Sequence, residues 1–181
     1  MRFNKIFTCD ISDGTGIRVG LYTQGCSHKC EGCFNPETWD CECGREWTDE
    51  TNDIIINMLR EDRYKGLSIL GGDPFFWYDK TDITDKNDML LKLLKRVHTE
   101  LNGPKSVWVW TGYLWEDLTD RRSNKFSSRC MAVLPYIDVL IDGKYEKNNP
   151  EGRKIYRGSA NQRVIDVKQS LSIDDIVLYC E

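Results

Sequence analysis

Three of the eight cysteines lie close together, with three residues between the first two and two residues between the last two. They are Cys26, Cys30 and Cys33. Thiolates on one short loop can hold three corners of a cubane [4Fe–4S] cluster, which normally takes four cysteine ligands. A loop that supplies only three leaves one iron without a protein ligand, and an open position is typical of a metal site that does chemistry. The spacing therefore favours a cluster that binds a small molecule at its fourth iron.

The same three cysteines also fit three quarters of a structural zinc site, whose fourth ligand would be His28, Cys9, Cys41 or Cys43. Cys41 and Cys43 are in addition a candidate redox or metal pair, although short cysteine pairs are often incidental. His28 lies inside the cysteine loop. It either donates a hydrogen bond to the cluster ligands or faces solvent, and we favour the solvent-facing position.

The composition restricts the functions open to the chain. With 181 residues, 40% hydrophobic and 30% charged, it fits one globular domain over residues 1–181. A net charge of -4 gives no basic surface for nucleic acid or for an anionic membrane. No segment resembles a signal peptide or approaches the roughly 20 apolar residues of a membrane span. We therefore expect a cytoplasmic protein, in which bunched cysteines favour metal over disulfides, and we expect structural roles for Cys130 and Cys180.

Strand-like and helix-like segments alternate along the chain and must position these residues. The patterns predict strands at 18–23, 67–70, 106–111 and 137–141, and helices at 48–61, 88–101 and 113–118. Thr48 is a plausible N-cap for the first helix. Such alternation predicts parallel strands joined by crossover helices.

Four motifs each follow the carboxyl end of a predicted strand. They are the cysteine loop, Gly-Gly-Asp-Pro at 71–74, Thr-Gly-Tyr at 111–113 and Asp-Gly-Lys at 142–144. In α/β barrels this rim contains the active site, but a closed barrel takes about 250 residues. We therefore predict an α/β fold, an open partial (β/α) barrel with a mostly parallel sheet. Its open side would admit a large substrate, such as a loop of another protein.

Together these motifs resemble the radical S-adenosylmethionine (SAM) superfamily, and more narrowly the activating enzymes of anaerobic (class III) ribonucleoside-triphosphate reductases. The matching stretches are 9–10, 13–19, 25–35, 38–39, 71–74, 110–113, 142–145, 157–159 and 161–163. They define a motif-bearing core of about 6–163. Thr15 stands where many relatives have proline, and Gly32 where the wider superfamily often has an aromatic residue. Segments 78–86 and 121–131 match nothing familiar. Nor does the tail, 168–181, whose apolar residues suit a short packed helix or strand but which has no assigned role.

The resemblance implies one [4Fe–4S] cluster held by Cys26, Cys30 and Cys33, with SAM bound through its amino and carboxylate groups at the open iron. It implies reduction by an external one-electron donor such as a flavodoxin, and cleavage of SAM to methionine and a 5′-deoxyadenosyl radical. Residues expected to contact SAM are Gly32, Cys33, Phe34, Asn35, Gly71, Gly72, Asp73, Asp142 and Lys144.

Within that set, Asp73 would bind the ammonium group, and Asp142 and Lys144 would contact the ribose and the carboxylate. Several of these positions also have simpler interpretations. Gly-Gly-Asp-Pro and Asp-Gly are common turns, and Asn35 is a suitable helix cap.

The implied partner is the large reductase subunit, in which a glycine near the C-terminus becomes a glycyl radical. Candidate docking residues are Arg157, Asn161, Gln162 and Arg163, whose side chains are rich in hydrogen-bond donors. No nucleic acid or membrane partner is expected, and a homodimer is compatible with the sequence. Two alternatives stay open: an activase of another glycyl radical enzyme, such as pyruvate formate-lyase, and a non-catalytic zinc-binding interaction module.

Overall fold

One mixed sheet organises the chain in a computed structural model that describes residues 1–79, 83–101, 103–149 and 155–179. Its seven strands in these residues are β1 (Arg2–Asp10), β2 (Ile17–Thr23), β3 (Arg45–Glu46), β4 (Tyr64–Gly71), β5 (Ser106–Trp110), β6 (Val139–Asp142) and β7 (Arg163–Asp166). They are arranged in the order β3-β1-β2-β4-β5-β6-β7. The helices are α1 (Asp49–Leu59), α2 (Met89–Glu100), α3 (Trp115–Thr119), α4 (Ser128–Val133) and α5 (Val167–Ile173).

The four predicted strands form the parallel centre of the sheet. β2, β4, β5 and β6 run in one direction, with Val19 opposite Leu67 and Leu21 opposite Ile69. The three predicted helices are present as α1, α2 and α3, and Thr48 is the N-cap of α1 as expected. The α/β class is therefore confirmed. No described helix has both the length and the apolar character that a bilayer crossing requires.

The expectation of a mostly parallel sheet is wrong at both edges. β1 pairs antiparallel with β2 and with β3, and β7 pairs antiparallel with β6. The chain passes from β1 to β2 through a short loop, without the crossover helix that a parallel pair needs. Over the described residues the sheet ends at β3 and β7 and does not close.

The two faces of the sheet have different roles because successive side chains of a strand point to opposite faces. On one face, Val19, Leu67 and Val107 join buried residues of the helices in the main hydrophobic core. On the other, which we call the site face, Trp108 forms a smaller cluster with Val139, Ile141 and Val164. Among the described residues the site face therefore has no helix layer of comparable size, and polar residues lie on it.

Arg18 is the most unusual residue of the site face, since its side chain is fully buried. Its guanidinium donates to Ser68 Oγ at 2.6 Å, to Leu67 O at 2.8 Å and to Ser106 O at 2.8 Å, and it lies 5.4 Å from the Trp108 ring centroid. Burial lowers the pKa of Arg18 to about 10. Arg18 thus joins three neighbouring strands through neutral oxygens.

The tail packs on the body as a short helix followed by an extended segment. After α5, Leu178 forms an antiparallel bridge with Ile165, and Tyr179 N donates to Val164 O at 2.8 Å. The Tyr179 ring lies 5.2 Å from that of Trp108. The predicted packing of the tail is confirmed up to this point, whereas Cys180 lies outside the described residues.

Replacing Arg18 with methionine should destabilise the protein, because the buried carbonyls and hydroxyls that it joins would lose their donors. We expect Arg18→Met to lower the free energy of unfolding by about 2–4 kcal/mol, measured by urea denaturation of the metal-free protein. Arg121→Met, at an exposed position, is the matched control. Equal stability of the two variants would contradict this role of Arg18.

Candidate iron–sulfur site

The four motif-bearing loops surround one cavity of about 430 Å³. It lies at the carboxyl ends of the parallel strands, and each loop contributes to its wall. Predicted site residues that line it are Cys26, Cys30, Cys33, Phe34, Asn35, Gly71, Gly72, Asp73, Arg157 and Gln162. The parallel strands thus bring residues that are far apart in the sequence into one place.

The cysteine loop is shaped by its backbone. Lys29 and Gly32 adopt left-handed conformations, with φ of 47° and 72°, and Cys33 N donates to Cys30 O at 3.1 Å. Cys26 N donates to Trp39 O at 3.1 Å, which fixes the start of the loop. Cys26 is buried, whereas Cys30 and Cys33 are partly exposed.

The donor set fits an iron–sulfur cluster, since three soft sulfur atoms open onto one cavity. Burial, reinforced by the charge of Asp73, raises the pKa of Cys26 to about 11, and burial also raises the pKa of Cys30. Metal binding must therefore displace protons from these thiols. Among the described residues, no three His, Cys, Asp or Glu side chains converge on a single metal position. A cubane does not need such convergence because each cysteine binds a different iron.

The residues proposed to close a zinc site lie elsewhere or are already engaged. Cys9, Cys41 and Cys43 are not among the described residues around the cavity. Cys43 Sγ instead lies 3.4 Å from Asp40 Oδ2. His28 lines the cavity, but its Nε2 faces Asp73.

Gly71 and Gly72 are needed for contact between two loops. Gly71 has a φ of +104°, and a Cβ on Gly72 would come within 2.5 Å of Gly25 O. Gly72 N donates to Thr23 O, and Asp73 N donates to Gly25 O, both at 2.9 Å. The glycine pair therefore lets the loop after β4 pack directly against the start of the cysteine loop.

Asp73 is buried, with 1% of its surface exposed, and accepts hydrogen bonds from two neighbouring loops. Its oxygens accept from Phe75 N at 2.9 Å, from Gly112 N at 2.8 Å, and from Thr111 Oγ1 at 3.0 and 2.9 Å. His28 Nε2 lies 3.1 Å from Asp73 Oδ2. The carboxylate is thus shared by the loops that follow β2, β4 and β5.

The expectation that His28 faces solvent is wrong. Its side chain is 7% exposed and packs edge-on against Tyr113, with ring centroids 4.6 Å apart. A Cβ on Gly112 would lie 2.4 Å from the imidazole. The space for His28 is therefore created by Gly112 and Tyr113, about 85 positions later in the chain. The residues around His28 in the sequence do not indicate that it is buried.

Three of the residues expected to contact SAM are divided between the cavity and the outer surface. Phe34 lines the cavity but is 74% exposed, with its ring 5.0 Å from that of Tyr145. Asn35 also lines the cavity and is the N-cap of the 3-10 helix Pro36–Thr38, although its side chain makes no capping bond. Gly32 is exposed, and a Cβ there would meet the Lys147 side chain at 2.9 Å.

Asp142 and Lys144 are not among the described residues that line the cavity. Asp142 is fully buried, accepts from Trp115 N at 2.7 Å and is ion-paired with Arg163. Lys144 is exposed. Between them, Gly143 contributes backbone to the cavity wall.

The candidate docking residues also separate into two groups. Arg157 and Gln162 line the cavity, and Gln162 Oε1 accepts from Gly158 N at 2.8 Å. Arg163 instead donates to Glu116 and Asp142, hydrogen bonds that raise the pKa of Arg163. Asn161 donates to Lys144 O at 2.7 Å. Gln162 and Arg163 thus also hold the local structure.

Several cavity residues were not predicted from the sequence, among them Ser12, Asp13, Tyr22, Trp39, Trp110 and Tyr156. Asp13 and Trp39 lie in stretches that carry the family resemblance, so the resemblance could have identified them as site residues.

Burial and the neighbouring Asp10 carboxylate raise the pKa of Asp13 from 3.8 to about 7. Asp10 Oδ2 is a buried oxygen for which the described residues offer no N–H or O–H donor. A side-chain hydrogen bond between Asp13 and Asp10 contributes to the raised pKa of Asp13.

Comparison with known proteins supports an iron–sulfur cluster in this chain. The family described as "4Fe-4S single cluster domain" matches residues 12–165, which defines an iron–sulfur class of protein. The chain is 38% identical over 164 residues to the anaerobic ribonucleoside-triphosphate reductase-activating protein of Enterobacteria phage T4, covering 91% of this chain and 93% of that one.

Proteins of the same name from Vibrio cholerae and Escherichia coli K12 are 38% and 37% identical, over 90% and 91% of this chain and 96% and 97% of theirs. The chain therefore belongs to the family of anaerobic ribonucleoside-triphosphate reductase-activating proteins. The resemblance inferred from the motifs is confirmed.

The proton on Asp13 leads to a prediction about stability and pH. Because the pKa of Asp13 is higher in the folded state, the folded protein loses stability as pH rises from about 4 to about 7. Asp13→Asn keeps an N–H donor toward Asp10 at every pH. Its melting temperature relative to wild type should therefore rise across that window and level off above it.

Thermal unfolding of the metal-free protein at several pH values between 4 and 8 measures this effect. Asp62→Asn, at an exposed position, is the control and should show no such trend. A difference between Asp13→Asn and wild type that does not change with pH would contradict the shared proton.

Proposed function

We propose that this protein activates an anaerobic ribonucleoside-triphosphate reductase by generating its glycyl radical, using SAM and a [4Fe–4S] cluster held by Cys26, Cys30 and Cys33. The observation that carries the proposal is the opening of these three cysteines onto one cavity whose walls are the loops after the parallel strands. The names of the relatives identify the reductase as the target of those proteins.

When bound, such a cluster supplies the electron that cleaves SAM reductively to methionine and a 5′-deoxyadenosyl radical. The chain's own residues position the reactants. Phe34, Asn35, Gly71 and Gly72 line the same cavity as Cys33, so we propose that they contact SAM. Gly32, Asp142 and Lys144 would affect SAM binding indirectly, through the conformation of the loops in which they lie.

The proposal extends to the architecture and to the partners. The open sheet would be a partial barrel of the radical SAM type, and residues 1–181 a single domain. The electron would come from an external one-electron donor such as a flavodoxin, in the cytoplasm, and the target would be a glycine near the C-terminus of the large reductase subunit. A homodimer is compatible with this function.

Product formation tests the enzymatic function directly. The protein, purified without oxygen, reconstituted with iron and sulfide and reduced, should convert SAM to 5′-deoxyadenosine. Cys30→Ala should abolish this product because the cluster loses one of its three ligands. Cys9→Ala, at an exposed cysteine, should retain it and is the matched control.

The identity of the target is tested by electron paramagnetic resonance of the partner. A glycyl radical on the anaerobic reductase, but not on pyruvate formate-lyase, is the expected result. A colourless protein that takes up zinc and forms no 5′-deoxyadenosine would overturn the proposal and favour the zinc-binding module.

Arg157 is the docking candidate that the geometry favours. It lines the cavity and donates from Nη1 to Gln162 O at 2.9 Å, whereas Arg163 is not among the described residues that line the cavity. Arg157→Met should lower the rate of glycyl radical formation on the reductase by about tenfold, the loss expected for a charge-assisted contact.

The same variant should still cleave SAM in the absence of the reductase. Arg122→Met, whose side chain is 91% exposed in wild type, is the control and should activate the reductase normally. Equal losses of SAM cleavage and of reductase activation in Arg157→Met would argue against docking.

A further inference from the structure

The hydrogen bonds of Asp73 differ from what an ammonium ligand requires. An ionised carboxylate offers about four lone-pair positions. Asp73 Oδ1 accepts from Phe75 N and Thr111 Oγ1, and Oδ2 accepts from Gly112 N and faces His28 Nε2. With 1% exposure and four protein partners, the carboxylate is saturated before any ligand arrives.

We infer that Asp73 is a positioning residue that fixes the cysteine loop to the sheet through His28, and is not the ligand of the SAM ammonium group. The part of this inference that concerns SAM rests on the proposed function. The part that concerns the link between Asp73 and His28 depends on the protein alone.

His28 is well placed to transmit this constraint. It lies between Cys26 and Cys30 in the sequence, so its side chain sets the course of the loop that joins the first two ligands. Tyr113 packs against the edge of its ring. The imidazole lies so close to Gly112 that a Cβ on that residue would clash with it. The imidazole is thus confined, and in the tautomer with a proton on Nε2 it donates to Asp73.

Asp73 is in turn fixed by the neighbouring loop. Thr111 and Gly112 follow β5, and both donate to its carboxylate. Its backbone N–H donates to Gly25 O at the start of the cysteine loop. Two independent links, one through backbone and one through His28, therefore connect Asp73 to the segment that holds the cysteines.

Loss of either partner should loosen the cluster in the same way. Outer partners of metal ligands typically contribute 10- to 100-fold in metal affinity. We expect His28→Leu and Asp73→Asn each to lose iron to a chelator about tenfold faster than wild type, with broadened resonances of the reduced cluster. His28→Gln, which keeps a side-chain N–H donor, should restore most of both properties.

A double-mutant cycle tests the link without any cofactor. The denaturant midpoints of the metal-free wild type, His28→Leu, Asp73→Asn and the double variant are compared. If the two side chains act through each other, the double variant should have the same denaturant midpoint as the less stable of the two single variants. His98→Leu, the other histidine, should combine additively with Asp73→Asn.

Equilibrium binding of SAM to the reconstituted variants distinguishes an anchor from a ligand. An anchor predicts similar losses of affinity in His28→Leu and Asp73→Asn, and recovery in His28→Gln. Additive midpoints together with a loss of SAM affinity confined to Asp73→Asn would overturn the inference. A wild type that binds no SAM would refute the proposed function, whereas the cofactor-free cycle would still decide the role of Asp73.

Discussion

The parallel register of β2 and β4 continues beyond the ends of both strands, and the site depends on this continuation. Thr23 and Gly25 accept backbone hydrogen bonds from Gly72 and Asp73, so the cysteine loop leaves β2 already paired with the next loop. Only residues without a Cβ fit so close a backbone contact, which explains both glycines. The separation of the first cysteine from the loop after β4 is thereby set by main-chain geometry, before any side chain contributes.

Buried polar side chains then stabilise the two ends of the same strands. Arg18, near the start of β2, binds Leu67 and Ser68 in the middle of β4 and Ser106 at the start of β5. At the carboxyl ends, Asp73 gathers donors from the loops after β2, β4 and β5. Since a buried group without a partner costs about 1–3 kcal/mol, each set of hydrogen bonds disfavours relative movement of these elements. The parallel strands are therefore held together both at their carboxyl ends and nearer their amino ends.

The sequence predicted the parts of this arrangement that have local causes. β2, β4, β5 and β6 are short apolar runs, α1 and α2 have helical periodicity, and α1 has a suitable N-cap in Thr48. β1 was missed because only Phe3 and Asp10 are buried along its length. β7 was missed because it has only four residues and the first of them, Arg163, was assigned to the candidate docking residues. Long-range pairing was not predictable from local pattern: His28 is buried by Gly112 and Tyr113, and Asp142 is neutralised by Arg163.

The incomplete enclosure of the cavity agrees with a protein substrate. Phe34 lines the cavity while 74% of its surface is exposed, so an aromatic side chain beside the last cysteine faces open space. Radical chemistry requires exclusion of water and of other reactive groups. In the proposed function, the reductase loop that carries the glycine would complete the wall as it binds, covering the exposed ring and burying its apolar surface. The same event would then bring the substrate into position and close the site.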